Sequence, residues 1–172
     1  MNSGRLTVVT VLLGAIVVIL SQFVPAYSLE DPLGATIATV TLADKHGLAT
    51  TLFAVVAVLA TIYAVASGAR SASIAVIGMG IAVLLVFLFI DLPDVDSIGL
   101  YNAAEAGTLD ATGTASAGLW MELTGGIILV LGGIALATLT PNQLTALRPG
   151  DEPDPGDEPD PGDGPDPGDK PE

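Results

Sequence analysis

Four acidic side chains are the strongest candidates for chemistry in this chain. Asp91, Asp94 and Asp96 follow a long apolar run, and Glu122 lies about one helical turn into a later one. Carboxylate oxygens are the ligands that hard cations such as Ca²⁺ and Na⁺ prefer. These four residues are therefore candidates for an external acidic patch that binds a cation, although structural alternatives are favoured. The alternatives are a solvated helix stop for the aspartates and, for Glu122, an anchor at the start of its helix.

Sequence signatures of catalysis are missing. The chain has no Gly-x-Ser-x-Gly elbow, no His-Glu-x-x-His pair and no phosphate-binding glycine loop. It has no cysteine, which excludes thiol catalysis, disulfides and zinc–thiolate sites. Its one histidine, His46, lies near Asp44, but no nucleophile accompanies them. We therefore expect His46 to be an ordinary polar residue at the start of a helix rather than a catalytic group. We predict no enzyme activity and no cofactor, and the acidic patch is the one candidate for a metal ion.

The elements that must position the acids are four apolar stretches. Hydrophobic residues make up 51% of the chain and occur in runs rather than in amphipathic patterns. Each run has roughly the ~20 residues that a helix needs to cross a ~30 Å hydrocarbon core. In lipid the backbone must satisfy its own hydrogen bonds, so each run is expected to be a helix. The predicted fold is all-α: an antiparallel four-helix membrane bundle over residues 1–147, with spans at about 6–24, 48–66, 72–90 and 118–140.

The arginines predict the orientation of this bundle. Arg5, Arg70 and Arg148 fall in segments that alternating crossings place on one side, which the positive-inside rule makes cytoplasmic. The nine acidic residues before the tail all fall on the other side. Lys45 also falls on that side and is the one basic residue that does not follow the rule. We therefore predict a multi-pass protein of the cell membrane with both termini in the cytoplasm.

The first span has a second interpretation. Ala26-Tyr27-Ser28 ends a hydrophobic run that follows a single arginine, and it resembles a signal-peptidase site. The run is longer than the ~7–15 residues of a usual signal-peptide core, which favours a retained span. Cleavage would leave three spans and place the new N-terminus outside.

The outer loops carry weaker signals. The run Ala38–Leu42 alternates apolar and polar residues and could form a short strand. Pro93 is expected to end the third span at the interface.

Small residues predict where the helices touch. Glycines recur every seven residues in the fourth span, and small residues also occur in the third. The predicted packing positions are Gly118, Gly125, Gly126, Gly132, Gly133, Gly78 and Ala82. Close approach at small residues supplies much of helix association in lipid. These positions either meet inside one bundle or form a homo-oligomer interface.

Residues 148–172 form a separate region. The six-residue unit Asp151–Gly156 repeats through Gly168, and Asp151–Glu172 holds ten acidic residues against one lysine. Frequent proline and the lack of apolar residues predict a disordered, self-repelling tail. It is either a solubilising end or a weak cation-collecting or partner-binding arm. The net charge of −14 argues against nucleic acid as a partner.

Two segments carry a family resemblance. The stretch Phe87–Val95, followed by Gly118–Leu123, resembles small prokaryotic four-span membrane proteins of unassigned function. The acidic, lysine-poor composition is similar to that of haloarchaeal proteins, and acidic actinobacterial membrane proteins share it. The resemblance implies a four-span fold and carries no activity.

The sequence therefore predicts a non-catalytic integral membrane protein, a structural, scaffold or accessory subunit of a membrane complex. The absence of charged residues from the first three spans and the glycine faces support this prediction. The alternative is an oligomeric channel or small transporter for cations or small solutes. The expected partners are the lipid bilayer and either another membrane protein or further copies of this chain.

Overall fold

Four long helices dominate the computed structural model, which describes residues 3–95, 100–103, 107–110 and 112–148. All four are long and apolar enough to span a membrane. In chain order the helices are α1 (Ser3–Ser21), α2 (Leu42–His46), α3 (Ala49–Ser67), α4 (Arg70–Val86), α5 (Leu92–Asp94), α6 (Ala117–Thr138) and α7 (Pro141–Thr145). One π-helical turn, Phe87–Asp91, extends α4. The predicted tail after Arg148 lies outside the described residues.

The long helices pack as a ring in the order α1, α6, α4, α3, in which α3 also contacts α1. Neighbours run antiparallel, as the contacts of α6 show: Gly125 lies against Val18, and Gly132 lies against Val11. Buried small and branched residues fill the interior, among them Ala54, Ala57 and Ala64 of α3 and Val76 and Val83 of α4. The structure thus gives the helix order that the sequence left open.

The seven-residue glycine pattern of α6 serves two neighbouring helices. A Cβ atom added to Gly118, Gly125 or Gly132 would approach α1 or the residues just after it. At Gly126 and Gly133 it would meet side chains of α4 instead, within 2.8 Å. Both glycine faces are therefore covered inside one chain, which favours the intramolecular alternative over an oligomer interface.

Gly78 of α4 packs against no other helix in the described part of this chain, so only the oligomer alternative still applies to it. Gly78 is exposed, and a Cβ added there would meet no atom within 4 Å. Gly80 makes the close approach, since its Cβ would lie 2.8 Å from the backbone nitrogen of Val130. Ala82 is half-buried. The sequence offered small residues on two faces of α4, and only the neighbouring helix decides which face is inside.

A small antiparallel sheet at one end of the bundle corrects the all-α prediction. Its strands are β1 (Pro25–Glu30), β2 (Thr36–Thr41) and β5 (Thr112–Ala115), in the order β2-β1-β5. In the central strand, Tyr27 pairs with Val40 on one side and Ala115 on the other. β3 (Leu100–Ala103) and β4 (Gly107–Asp110) form a separate two-stranded sheet. The alternating run at Ala38–Leu42 indicated β2, whereas β1 and β5 are recruited by long-range pairing.

The sheet follows α1 directly and changes the boundaries of the first span. α1 ends at Ser21 rather than near residue 24, and Pro25 opens β1. Cleavage after Ser28 would remove α1 from its contact with α6 and divide β1 in the middle. We call this end of the molecule the sheet end.

The opposite end carries the three arginines, and we call it the arginine end (Arg5, Arg70 and Arg148). Two close approaches define it: Gly4 lies against Leu147, and Gly68 lies against Pro141. Arg148 donates a hydrogen bond to the main-chain carbonyl of Ala66, so it is held against the last turn of α3.

Candidate functional site

Two acidic side chains are buried together near the sheet end of the bundle. Asp91 and Glu122 are both 0% exposed. The carboxyl group of Glu122 lies close enough to that of Asp91 and to the hydroxyl of Thr50 for direct electrostatic interaction. Three elements thus supply this site, which we call the acidic pair (Asp91 and Glu122, with Thr50 beside them).

Helical periodicity at the end of α4 places Asp91 on the inner face. Phe87 and Asp91, at the two ends of the π-helical turn, are buried, whereas Leu88, Phe89 and Ile90 between them are exposed. Residues four apart share one face of a helix, so Asp91 continues the buried stripe of α4 through Phe87. The carboxylate thus lies inside the bundle, although Pro93 favours a solvated helix stop at this place.

Glu122 is positioned by the tight packing of α6 against the end of α1. It lies five residues after Ala117, about 8 Å along the axis from the start of its helix. A Cβ atom on Gly118, one turn earlier on the same face, would clash with the carbonyl oxygen of Val24. The Glu122 side chain itself is fully buried. It is therefore enclosed by the bundle rather than exposed at the start of its helix.

Several buried polar atoms at the sheet end make no hydrogen bond. Neither carboxylate oxygen of Glu122 makes a hydrogen bond, nor does the hydroxyl of Thr50. Both residues are fully buried. Gln22 at the end of α1 is also fully buried; its amide nitrogen donates to Ser21 at 3.2 Å, while its carbonyl oxygen makes no hydrogen bond. Buried polar atoms are normally satisfied, so this end of the bundle has oxygen atoms available to a small cation, a proton or water.

The sheet supplies a polar connection from the acidic pair toward the surface. The Tyr27 hydroxyl donates to the main-chain oxygen of Asp91 at 2.9 Å and lies 3.4 Å from its carboxylate. Lys45 donates to the Tyr27 hydroxyl at 3.3 Å, and its ammonium group lies 4.7 Å from the ring centre. Tyr27 is buried and Lys45 half-buried. Lys45, the one lysine or arginine on the acidic side of the bundle, therefore lies between the surface and the two carboxyl groups.

Charge makes this arrangement unusual for a membrane bundle. Ionised groups inside a membrane are costly and are found where they are paired or where they bind and move charge. Two carboxyl groups side by side repel each other when both are ionised. A cation or a proton that joins them would relieve both costs. The chemistry open to this site is therefore the binding of a small cation or the exchange of a proton.

The four acids of the predicted patch do not share one location in the part of the chain that is described. Asp91 and Glu122 come together in the interior, and Asp94 ends the short helix α5. Asp96 lies outside the described residues. Within the described ranges, no three acidic or histidine side chains converge as a metal-binding group. The complete patch remains a prediction, and the observed pair is its buried part.

Asp44 has a structural role in the helix that carries Lys45. Thr41 and Asp44 form a capping box at the start of α2, in which the threonine hydroxyl donates to the carboxylate at 2.7 Å. This hydrogen bond, with a second one from the Thr41 backbone, lowers the pKa of Asp44 below 3.8. His46 ends the same short helix.

Sequence reasoning did not find Thr50, Tyr27 or Gln22. Thr50 looks like an ordinary polar residue at a helix start, and Tyr27 reaches Asp91 across 64 positions of the chain. One signal was present, since Lys45 is the only base among the acids of the sheet end.

Comparison with protein-family models, curated proteins and solved structures finds no match.

Proposed function

We propose that this protein is a non-catalytic subunit or scaffold of a membrane complex, a four-helix bundle whose outward helix faces contact lipid and a partner. The observation that supports this proposal is the use of both glycine faces of α6 inside the chain. The interior is closed by contacts between helices, which leaves large apolar side chains on the outside, including Phe89 and Leu131. Such faces suit lipid and the helices of another protein.

Site-specific photocrosslinking in native membranes tests this proposal. A photoreactive residue at Phe89 or Leu131, which are 71% and 59% exposed, should form an adduct with one defined protein. The matched control is Leu129, also on α6 but fully buried, which should crosslink only within the chain. Adducts with lipid alone at both exposed positions, together with purification as a partner-free monomer, would contradict the proposal. Adducts with a second copy would assign the homo-oligomer.

The acidic pair favours a second candidate function, the binding and passage of a cation or proton as part of a channel or small transporter. Its support is the fully buried Glu122, whose carboxylate oxygens make no hydrogen bond, beside Asp91 and Thr50. Lys45 and Tyr27 connect this site to the surface of the sheet end.

A titration with Na⁺, K⁺ and Ca²⁺ tests this candidate through the melting temperature of the purified protein. One of these cations should raise the melting temperature, and Glu122→Gln should abolish that response. Glu30→Gln is the matched control, because Glu30 lies on β1 and accepts a hydrogen bond from Thr114 outside the bundle. Flux of the same cation into liposomes would then separate transport from binding. A wild-type melting temperature that none of the cations changes, together with an absence of proton flux, would remove the candidate.

A further inference from the structure

An apolar groove runs along the seam between α1 and α3 at the arginine end. It consists of a cavity of about 310 Å³ and a neighbouring one of about 250 Å³, which share Val8, Val65 and Leu147 as walls. α1 forms one wall, and the last turns of α3 form the other. The two helices contact each other less extensively than α1 contacts α6, which leaves this seam open.

Two arginines line this groove. Arg148 borders the larger cavity and Arg5 the smaller one. Both are exposed. The hydrogen bond from Arg148 to Ala66 engages only part of a guanidinium group that carries five N–H donors in a planar fork. Arginine is suited to phosphate because this fork can form two parallel hydrogen bonds with it.

The position of the groove indicates which kind of molecule could contact both its apolar walls and its arginines. The arginines lie where the spans end, at the level of lipid headgroups, while the walls are aliphatic and belong to the spans. Basic pockets between membrane helices are established sites for anionic lipid headgroups. A free phosphate would use the arginines but not the walls, and a neutral lipid would use the walls but not the arginines.

We propose that this groove binds one anionic phospholipid, with an acyl chain along Val8 and Val65 and its phosphate at Arg5 and Arg148. This site is separate from the acidic pair, which lies at the opposite end of the bundle. It also does not depend on the proposed scaffold function, since the lipid would bind the chain by itself.

Native mass spectrometry of the full chain, released from micelles that contain phosphatidylglycerol or phosphatidylcholine, tests the proposal. One retained phosphatidylglycerol is expected, with weaker retention of phosphatidylcholine. Arg5→Gln and Arg148→Gln should each weaken retention roughly fivefold, since one basic residue near an anionic lipid contributes about that factor. Soluble glycerol phosphate should not compete, because it has no acyl chain for the groove.

Arg70→Gln is the matched control, because Arg70 is exposed at the same end and does not line the groove. It should lower retention clearly less than the two groove variants, because Arg70 does not border the bound lipid. Equal losses in all three variants would show general attraction to charge and overturn the site. Equal retention of the two lipids would overturn it as well. A narrower groove in Ala66→Leu gives an independent check, since it should lower retention while all three arginines remain.

Discussion

Gly125 and Gly78 both lie within membrane-spanning helices but have opposite surroundings. A Cβ atom on Gly125 would lie 2.6 Å from a methyl group of Val18 and 2.9 Å from its backbone nitrogen. A Cβ atom on Gly78 would meet nothing within 4 Å. Glycine is therefore required for helix packing at position 125, whereas position 78 has room for a larger side chain.

Alanine substitution should separate these two positions. We expect Gly125→Ala to destabilise the bundle by about 1–3 kcal/mol, because α1 must shift to admit the methyl group. Gly78→Ala should be neutral or stabilise by up to about 1 kcal/mol through helix propensity. Unfolding of the two variants by denaturing detergent measures the difference. Equal destabilisation would show that the contact of α6 with α1 is not where the structure places it.

The capping box of α2 should make stability depend on Asp44 at low pH. Its pKa is lowered in the folded protein, so its contribution is present above the ordinary value of 3.8 and is lost as the pH falls through the lowered value. The stability advantage of the wild type over Asp44→Asn should therefore hold near neutral pH and shrink on acidification below 3.8. Thermal unfolding of both proteins across this range measures it. A difference that does not change with pH would argue against the hydrogen bonds from Thr41.

At the scale of single residues, the sequence indicated the right chemistry but not its surroundings. Asp91 and Glu122 were recognisable as candidates, because ionisable groups beside or inside spans are rare. Their burial was not recognisable, since Pro93 just after Asp91 is typical of an exposed helix end. The sequence does not show which glycine of α4 packs against α6. Gly80 does so because it lies next to Val130, a contact that only the packed structure brings about.

At the scale of elements, the helical periodicity of α4 and its extension places Asp91 in the acidic pair. Gly80, Val83, Phe87 and Asp91 are buried at intervals of three or four residues and form one continuous inner stripe. The residues between Phe87 and Asp91 are apolar and exposed. Because this span is apolar on all its faces, its hydropathy predicted its length but not which face is inside.

Thiol labelling tests the burial of position 91. Because the natural chain has no cysteine, Asp91→Cys provides a single thiol whose accessibility reports its surroundings. It should react much more slowly with a soluble maleimide than Thr36→Cys, because Asp91 is fully buried and Thr36 is exposed on the sheet. Equally fast labelling of the two positions would mean that Asp91 is not enclosed by the bundle.

The sheet shows the other limit of prediction from elements. The alternation of apolar and polar residues indicates β2. β1 contains Pro25 and directly follows a span, which is the pattern of a helix end and a loop. Its pairing with β5 joins residues more than 80 positions apart, as the hydrogen bond between Ser28 and Ser116 at 2.6 Å shows. Long-range pairing of this kind is set by the fold rather than by local sequence.

At the scale of the whole molecule, the two ends of the bundle differ in charge and in form. The sheet end carries Asp91, Glu122 and Lys45, while the arginine end carries Arg5, Arg70 and Arg148 around the open groove. The four runs of apolar residues predicted the long helices, because the length and hydropathy of a run are enough to identify a helix that could span a membrane. The arginines predict the orientation of the bundle in a membrane.

Thiol labelling in intact cells tests the orientation that the arginines predict. Thr36→Cys at the sheet end should react with a membrane-impermeant maleimide, because the positive-inside rule places this end outside. Asn142→Cys, exposed near the arginine end, should react only after the membrane is permeabilised. The reverse pattern, or labelling of both in intact cells, would contradict the prediction of cytoplasmic termini.

The central position of α6 also has a consequence for biosynthesis. Translation produces this helix last of the four, yet both α1 and α4 pack mainly on its glycines. Until α6 has been synthesised, the valines of α1 and α4 that it covers lack the helix they pack against. We therefore expect the nascent chain to stay loosely assembled for most of its synthesis. A stop codon just before Ala117 should yield a product that cellular proteases clear rapidly.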